Sequence, residues 1–152
     1  AAFDRSPGKP SKQDAAQRLG VQFLSLDALL QQSDLVAIQT PLNDSTLGMI
    51  NADRLAQMRP QAVLVNVGRG GVIDEEALYV ALRDGRLGGA ALDVFQEEPP
   101  VASPLLTLEN FVATPHTAAQ TLDAQKRVGE DVQRIIEAFS AGRDLSRLGV
   151  NV

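Results

Sequence analysis

The stretch Ala62-Val63-Leu64-Val65-Asn66-Val67-Gly68-Arg69-Gly70-Gly71-Val72-Ile73-Asp74 decides the fold class. Its first half is a β-branched apolar run without polar alternation, the composition of a strand covered on both faces in a sheet between helix layers. Glycines end the run, and Asp74 then reads as a helix N-cap with Ile73 before it and Leu78 after it, able to form a hydrophobic staple. The same device recurs at Ser25 between Leu24 and Leu29, and at Asn51 between Ile50 and Leu55. Strand, turn and capped helix in repeated succession predict βαβ units and a parallel sheet.

Working outward, the strands expected are Ala1-Ala2-Phe3, Val21 to Leu24, Leu35 to Thr40, Ala62 to Val67, Gly89 to Val94 and Phe111 to Thr114. Leu35-Val36-Ala37-Ile38 also lacks alternation, so both of its faces are expected to be covered. Ser11 followed by Asp14 resembles a capping box for a helix that ends at Gly20, Pro60 bounds the helix from Ala52, and Gly85 suits the left-handed residue that stops the helix from Asp74. A last helix from about Leu122 to Ala141 carries Val128, Val132, Ile135, Ile136 and Phe139 on one face and stops at Gly142.

Composition narrows the chemistry. The 152 residues are 44% apolar, enough for one core of ordinary domain size. A formal net charge of −5, with Lys and Arg scattered singly, lacks the electrostatic footprint of a nucleic-acid or anionic-membrane binder. No apolar stretch approaches the ~18 residues of a membrane span, and a soluble, cytoplasmic protein is expected. Zero Cys and a single His leave no disulfide, thiolate site or multi-His metal cluster, so no metal is expected. Chemistry falls to carboxylates, Arg, hydroxyls and His116. The chain begins at Ala1, which reads as a fragment or processed chain.

Polar residues gather at one end of the strand map. Thr40-Pro41, Gly68-Arg69-Gly70, Asp93 and Pro115-His116 all follow the carboxyl ends of strands, the edge where open parallel sheets bind ligands. Asp4 after the first strand suits a carboxylate accepting from an adenosine ribose, which favours NAD over NADP; Arg5 beside it would welcome a 2′-phosphate, and by pattern alone a solvated turn is the more ordinary reading of Asp4-Arg5-Ser6-Pro7-Gly8. The Gly-rich phosphate-binding loop that precedes such an acid is absent from these residues. Arg69 among glycines is either a surface residue on a turn or a guanidinium reaching a carboxylate in bidentate geometry. Asp93 is a strand-end turn residue or an acceptor for an amide such as a nicotinamide carboxamide. Glu97-Glu98-Pro99-Pro100 reads as an acidic loop and His116 as a structural histidine, unless the two meet; a carboxylate beside an imidazole fixes its tautomer and suits it to acid–base work.

The segments Thr40-Pro41-Leu42-Asn43-Asp44-Ser45-Thr46, Asn66-Val67-Gly68-Arg69-Gly70-Gly71-Val72-Ile73-Asp74-Glu75, Ala90-Ala91-Leu92-Asp93-Val94-Phe95 with Glu97-Glu98-Pro99, and Thr114-Pro115-His116 resemble, in order and spacing, the NAD-binding domain of the D-isomer-specific 2-hydroxy-acid dehydrogenases, notably the phosphoglycerate dehydrogenase-like branch. Glu98 followed by proline departs from the formate dehydrogenase-like branch, which uses Gln there. The resemblance implies an α/β, doubly wound Rossmann-like sheet lacking its first strand and Gly-rich loop, with residues 1–152 a partial dinucleotide-binding domain and the substrate domain not present. It implies NAD as cofactor, with Asp4 as ribose-binding acid, Thr40 and Pro41 at the cofactor, Val67, Gly68 and Arg69 walling the nicotinamide-ribose pocket, Asp93 on the carboxamide and His116 beside the ring. Arg69 is implied as the catalytic Arg gripping the substrate carboxylate, and His116 as the acid–base residue paired with Glu98. The implied reaction is hydride transfer between NAD(H) and a small 2-hydroxy or 2-oxo acid, in a homodimer. The family also contains co-repressors that use the fold as an NADH-responsive scaffold for protein partners, the alternative function. Gly149-Val150-Asn151-Val152 is expected to lead toward the substrate domain.

Overall fold

The computed structural model describes residues 1–4 and 6–148; Arg5 and the expected exit at Gly149-Val150-Asn151-Val152 lie outside them. The chain divides into two compact units, Ala1–Pro115 and His116–Val152.

The first unit contains four parallel strands in the order β1 (Leu35–Ile38), β2 (Val63–Asn66), β3 (Gly89–Leu92) and β4 (Phe111–Ala113). Register runs straight across, with Ile38, Asn66 and Leu92 aligned at the carboxyl ends. The helices are α1 (Pro10–Arg18), α2 (Leu26–Gln32), α3 (Ala52–Leu55) and α4 (Glu75–Arg83). Three of them start as the caps predict: Ser25 Oγ accepts from Ala28 N–H at 3.2 Å, Asn51 Oδ1 from Arg54 N–H at 3.1 Å and Asp74 Oδ1 from Ala77 N–H at 3.0 Å. Each bond satisfies an amide that the first helical turn leaves without a partner. Leu29, Ile50, Leu55, Ile73 and Leu78 from the staple pairs are buried in one cluster with Ile38, Leu64 and Leu92.

Three expectations are corrected. Ser11 does not cap α1; Lys9 is the N-cap and Pro10 takes the first helical position, where its missing N–H and fixed φ cost nothing. Ala1-Ala2-Phe3 and Val21 to Leu24 form only a parallel bridge, Ala2 opposite Phe23, outside the four-stranded sheet. Between that bridge and β1 lies a cavity of about 660 Å³, lined by Ala1, Ala2 and Phe3 and by Leu35 to Ile38. The order 3-2-1-4 of dinucleotide-binding sheets puts a first strand between the second and the fourth, so this Rossmann-like sheet is incomplete at that cavity. Finally, β1 is not covered on both faces: Val36 and Ile38 are buried while Leu35 is 63% exposed.

In the second unit α5 (Leu122–Ser140) follows its expected span, started by Thr121 Oγ1 accepting from Ala124 N–H at 3.1 Å and stopped at Gly142. Its apolar face is open rather than core: Val128 is 61% exposed and Phe139 71%. No helix of the described residues is long and apolar enough to cross a membrane.

Candidate active site at the carboxyl ends of the strands

The loop after β2 is the hub. Asn66, 1% exposed, ends the strand, and its side-chain amide closes the following turn: Oδ1 accepts from Gly68 N–H and Nδ2 donates to Arg69 C=O, both at 3.0 Å. Val67 is partly exposed on the turn and donates its N–H to Ile38 C=O at 3.2 Å. Arg69 is exposed, with Nη1 donating to Gly68 C=O at 2.7 Å.

Two glycines draw neighbouring strand ends onto this loop. A Cβ at Gly68 would stand 2.9 Å from Thr40 C=O, and one at Gly70 would stand 1.8 Å from Phe95 C=O. Only glycine permits the second approach, because a real Cβ keeps at least 3.0 Å from such an atom. The Thr40-Pro41 end of β1, the Arg69 loop and the loop leading to Glu98 are therefore one contiguous surface.

Asp93 completes it from β3. Its N–H donates to Asn66 C=O at 3.0 Å, and its carboxylate, on a residue 4% exposed, accepts from Thr114 Oγ1 beyond β4. Glu98 is exposed and folds back on its own loop, Oε1 accepting from Phe95 N–H at 3.0 Å. From below, Glu75 Oε1 accepts from Gln96 N–H at 2.6 Å. Burial raises the Glu75 pKa above the ordinary glutamate value, and the Gln96 N–H draws it partly back.

Thr40 Oγ1 is buried and has no hydrogen-bond partner among the described residues, which is costly for a hydroxyl unless a ligand supplies one. It lines the 660 Å³ cavity together with Pro41, Asp4 and Lys12. Asp4 is held in its turn by Ser6 N–H at 2.6 Å and by Lys12 Nζ at 2.6 and 2.5 Å from its two oxygens. The Lys12 contact, aided by the Ser6 amide, lowers the Asp4 pKa, keeping an anionic acceptor at the cavity. The Thr40 hydroxyl and the Asp4 carboxylate are groups that the hydroxyls of a nucleotide can bond.

His116 opens the second unit. It is an exposed residue with the left-handed φ of 54°, and its C=O accepts from Gln120 Nε2 at 3.2 Å. The first unit thus brings together Thr40, Pro41, Val67, Gly68, Arg69, Asp93 and Glu98, with Asp4 lining the same cavity as Thr40. Sequence reasoning assigned no role to Asn66 or Thr114, which shape the site from behind. An asparagine two residues before a glycine at a strand end is the signal that could have found the first; for Thr114 there was only its place in the family-like Thr-Pro-His segment.

Comparison with known proteins gives the arrangement a context. Residues 2–118 match the family model described as "D-isomer specific 2-hydroxyacid dehydrogenase, NAD binding domain". The glyoxylate reductase of Thermococcus onnurineus is 45% identical over 131 residues, 86% of this chain and 39% of that protein. A D-isomer specific 2-hydroxyacid dehydrogenase from Xanthobacter autotrophicus Py2, solved with NADPH and MES, aligns with a TM-score of 0.73 and 38% identity over 82% of this chain and 53% of that one. D-lactate dehydrogenase from Lactobacillus jensenii, solved with NAD+, aligns with a TM-score of 0.82 and 26% identity over 94% of this chain and 46% of that one. The chain spans about two-fifths of the length of its glyoxylate reductase relatives.

Proposed function

From a chain that belongs to the D-isomer specific 2-hydroxyacid dehydrogenase family through its NAD-binding domain, we propose that the full-length polypeptide reduces small 2-oxo acids to D-2-hydroxy acids with a nicotinamide cofactor, and runs the reverse oxidation. The observation that carries this reading is the single surface formed by the Thr40 end of β1, the Arg69 loop, Asp93 and the Glu98 loop, drawn together by the close contacts of Gly68 and Gly70.

The residues divide the work. Asp4 binds the adenosine ribose, Thr40 and Pro41 contact the cofactor, and Val67-Gly68 with Asp93 hold the nicotinamide end. The bound cofactor supplies or accepts a hydride. Arg69 grips the substrate carboxylate and polarises the adjacent carbonyl, so that negative charge developing on its oxygen meets a fixed cation. His116 gives that oxygen its proton in reduction and removes it in oxidation, while Glu98 orients the imidazole.

Within this reading NAD(H) is the preferred cofactor because Asp4 is anionic where a 2′-phosphate would sit. The protein works in the cytoplasm as a homodimer, and residues 1–152 are the cofactor half of a two-domain enzyme. Sedimentation measures the dimer directly.

The test is NADH and NADPH oxidation by the full-length polypeptide over a panel including glyoxylate, hydroxypyruvate and pyruvate, beside the variants His116→Ala and Glu98→Gln. Turnover that collapses in both variants supports the dehydrogenase. Tight NADH binding without turnover of any acid contradicts it and favours the co-repressor-like scaffold.

A further inference from the structure

We infer that Asn66 is the positioning residue for Arg69: its amide fixes the turn from which the guanidinium reaches the substrate carboxylate. This rests on the reading of Arg69 as the carboxylate-binding group.

Asn66 sits where three strands meet. Its C=O accepts from Asp93 N–H on one side, and the next residue donates to Ile38 C=O on the other. Those two bonds hold the end of β2 but leave the turn beyond it free to close in several ways. The side chain removes that freedom by bonding both Gly68 N–H and Arg69 C=O at 3.0 Å. Arg69 then donates to Gly68 C=O at 2.7 Å, so the guanidinium is referred to the same turn that the amide defines. The outer ends are fixed separately, Gly68 against Thr40 and Gly70 against Phe95.

The chemistry requires an amide. The turn presents one donor and one acceptor to a buried atom pair, and the asparagine amide offers the complementary acceptor and donor without changing protonation state. Alanine offers neither and leaves two half-buried backbone groups unpaired. Aspartate offers two acceptors when ionised, one facing Arg69 C=O with no proton between them. Protonated, it reproduces the amide pattern. The titratable groups around it are Arg69 on its own turn and Asp93 bonded to its backbone; Ile38, Gln39 and Thr40 on the β1 side carry none.

The experiment compares wild type, Asn66→Ala and Asn66→Asp in the full-length polypeptide, following steady-state kinetics from pH 5 to 8, cofactor affinity by NADH fluorescence, and the Gly68 amide by NMR. Asn66→Ala is expected to raise KM for the 2-oxo acid by about tenfold, the scale of one lost hydrogen bond, with NADH affinity held to within about threefold. Asn66→Asp is expected to approach wild type at the acid end and lose affinity for the acid as pH rises, with the Gly68 amide resonance titrating in step. Wild-type KM and pH dependence in both variants, with an unmoved Gly68 resonance in Asn66→Asp, overturns the role of Asn66. A wild type that turns over no 2-oxo acid overturns instead the reading of Arg69, and the Gly68 resonance still decides whether Asn66 sets the turn.

Discussion

Replacing Gly70 by alanine perturbs the contact that joins the Arg69 loop to the Glu98 loop. The added Cβ would stand 1.8 Å from Phe95 C=O, 2.1 Å from its carbonyl carbon and 2.7 Å from Gln96 N. All three are backbone atoms, so no side-chain rotamer relieves the clash, and the two loops must separate by more than an ångström to restore the 3.0 Å minimum. Phe95 resists that movement, being buried and packed edge-on against Phe111 with centroids 6.3 Å apart. Its displacement also strains the Phe95 N–H bond to Glu98 and the Gln96 N–H bond to Glu75. Overpacking a rigid site of this kind costs about 3 kcal/mol, the upper part of its usual range. Urea denaturation of Gly70→Ala is expected to show a lower midpoint at unchanged slope. Gly129→Ala on α5, where a Cβ meets nothing within 4 Å, is the control and should gain about 0.5–1 kcal/mol from helix propensity. A Gly70→Ala protein within about 0.5 kcal/mol of wild type would refute the reasoning.

Three further predictions concern single groups. Thr40→Val removes a buried hydroxyl without a partner, so the cofactor-free protein should gain about 1 kcal/mol in thermal or urea unfolding while NADH affinity falls by about tenfold. Asp4→Asn should shift the ratio of kcat/KM values from NADH toward NADPH by on the order of tenfold, because the charged acceptor for the ribose is lost. Glu75 is raised by burial, so its ionised form is disfavoured in the folded state: the penalty is absent below the unfolded-state value and complete above the raised one. Stability of the wild type relative to Glu75→Gln, which keeps the acceptor for Gln96 N–H, should therefore fall as pH rises through that window, measured by unfolding from pH 4 to 7.

The elements legible in the sequence were those governed by neighbouring residues. Ser25, Asn51 and Asp74 cap the helices they were expected to cap, because a cap and its amide lie within four residues of each other. β1 to β4 fall inside the apolar runs that predict them. What was hidden depends on distant partners. That Gly70 abuts Phe95 links positions 25 apart, and nothing in the local pattern of either names the other. Leu35 looks like core from its run but faces outward, since coverage of a strand face depends on which elements lie over it. The apolar stripe of α5 was legible too, but periodicity reports an amphipathic helix without saying what covers it. At the site, the residue types were readable and their supports were not: Glu98 bonds its own loop at Phe95, and Asn66 closes the turn that carries Arg69.

The central claim, that the Arg69 surface is where a 2-oxo acid is bound and reduced, is tested most directly by Arg69→Ala in the full-length polypeptide, with glyoxylate reduction and NADH binding measured side by side. The account predicts a loss of about 10²-fold or more in kcat/KM with NADH affinity nearly unchanged. Glyoxylate reduction within a few-fold of wild type would contradict it.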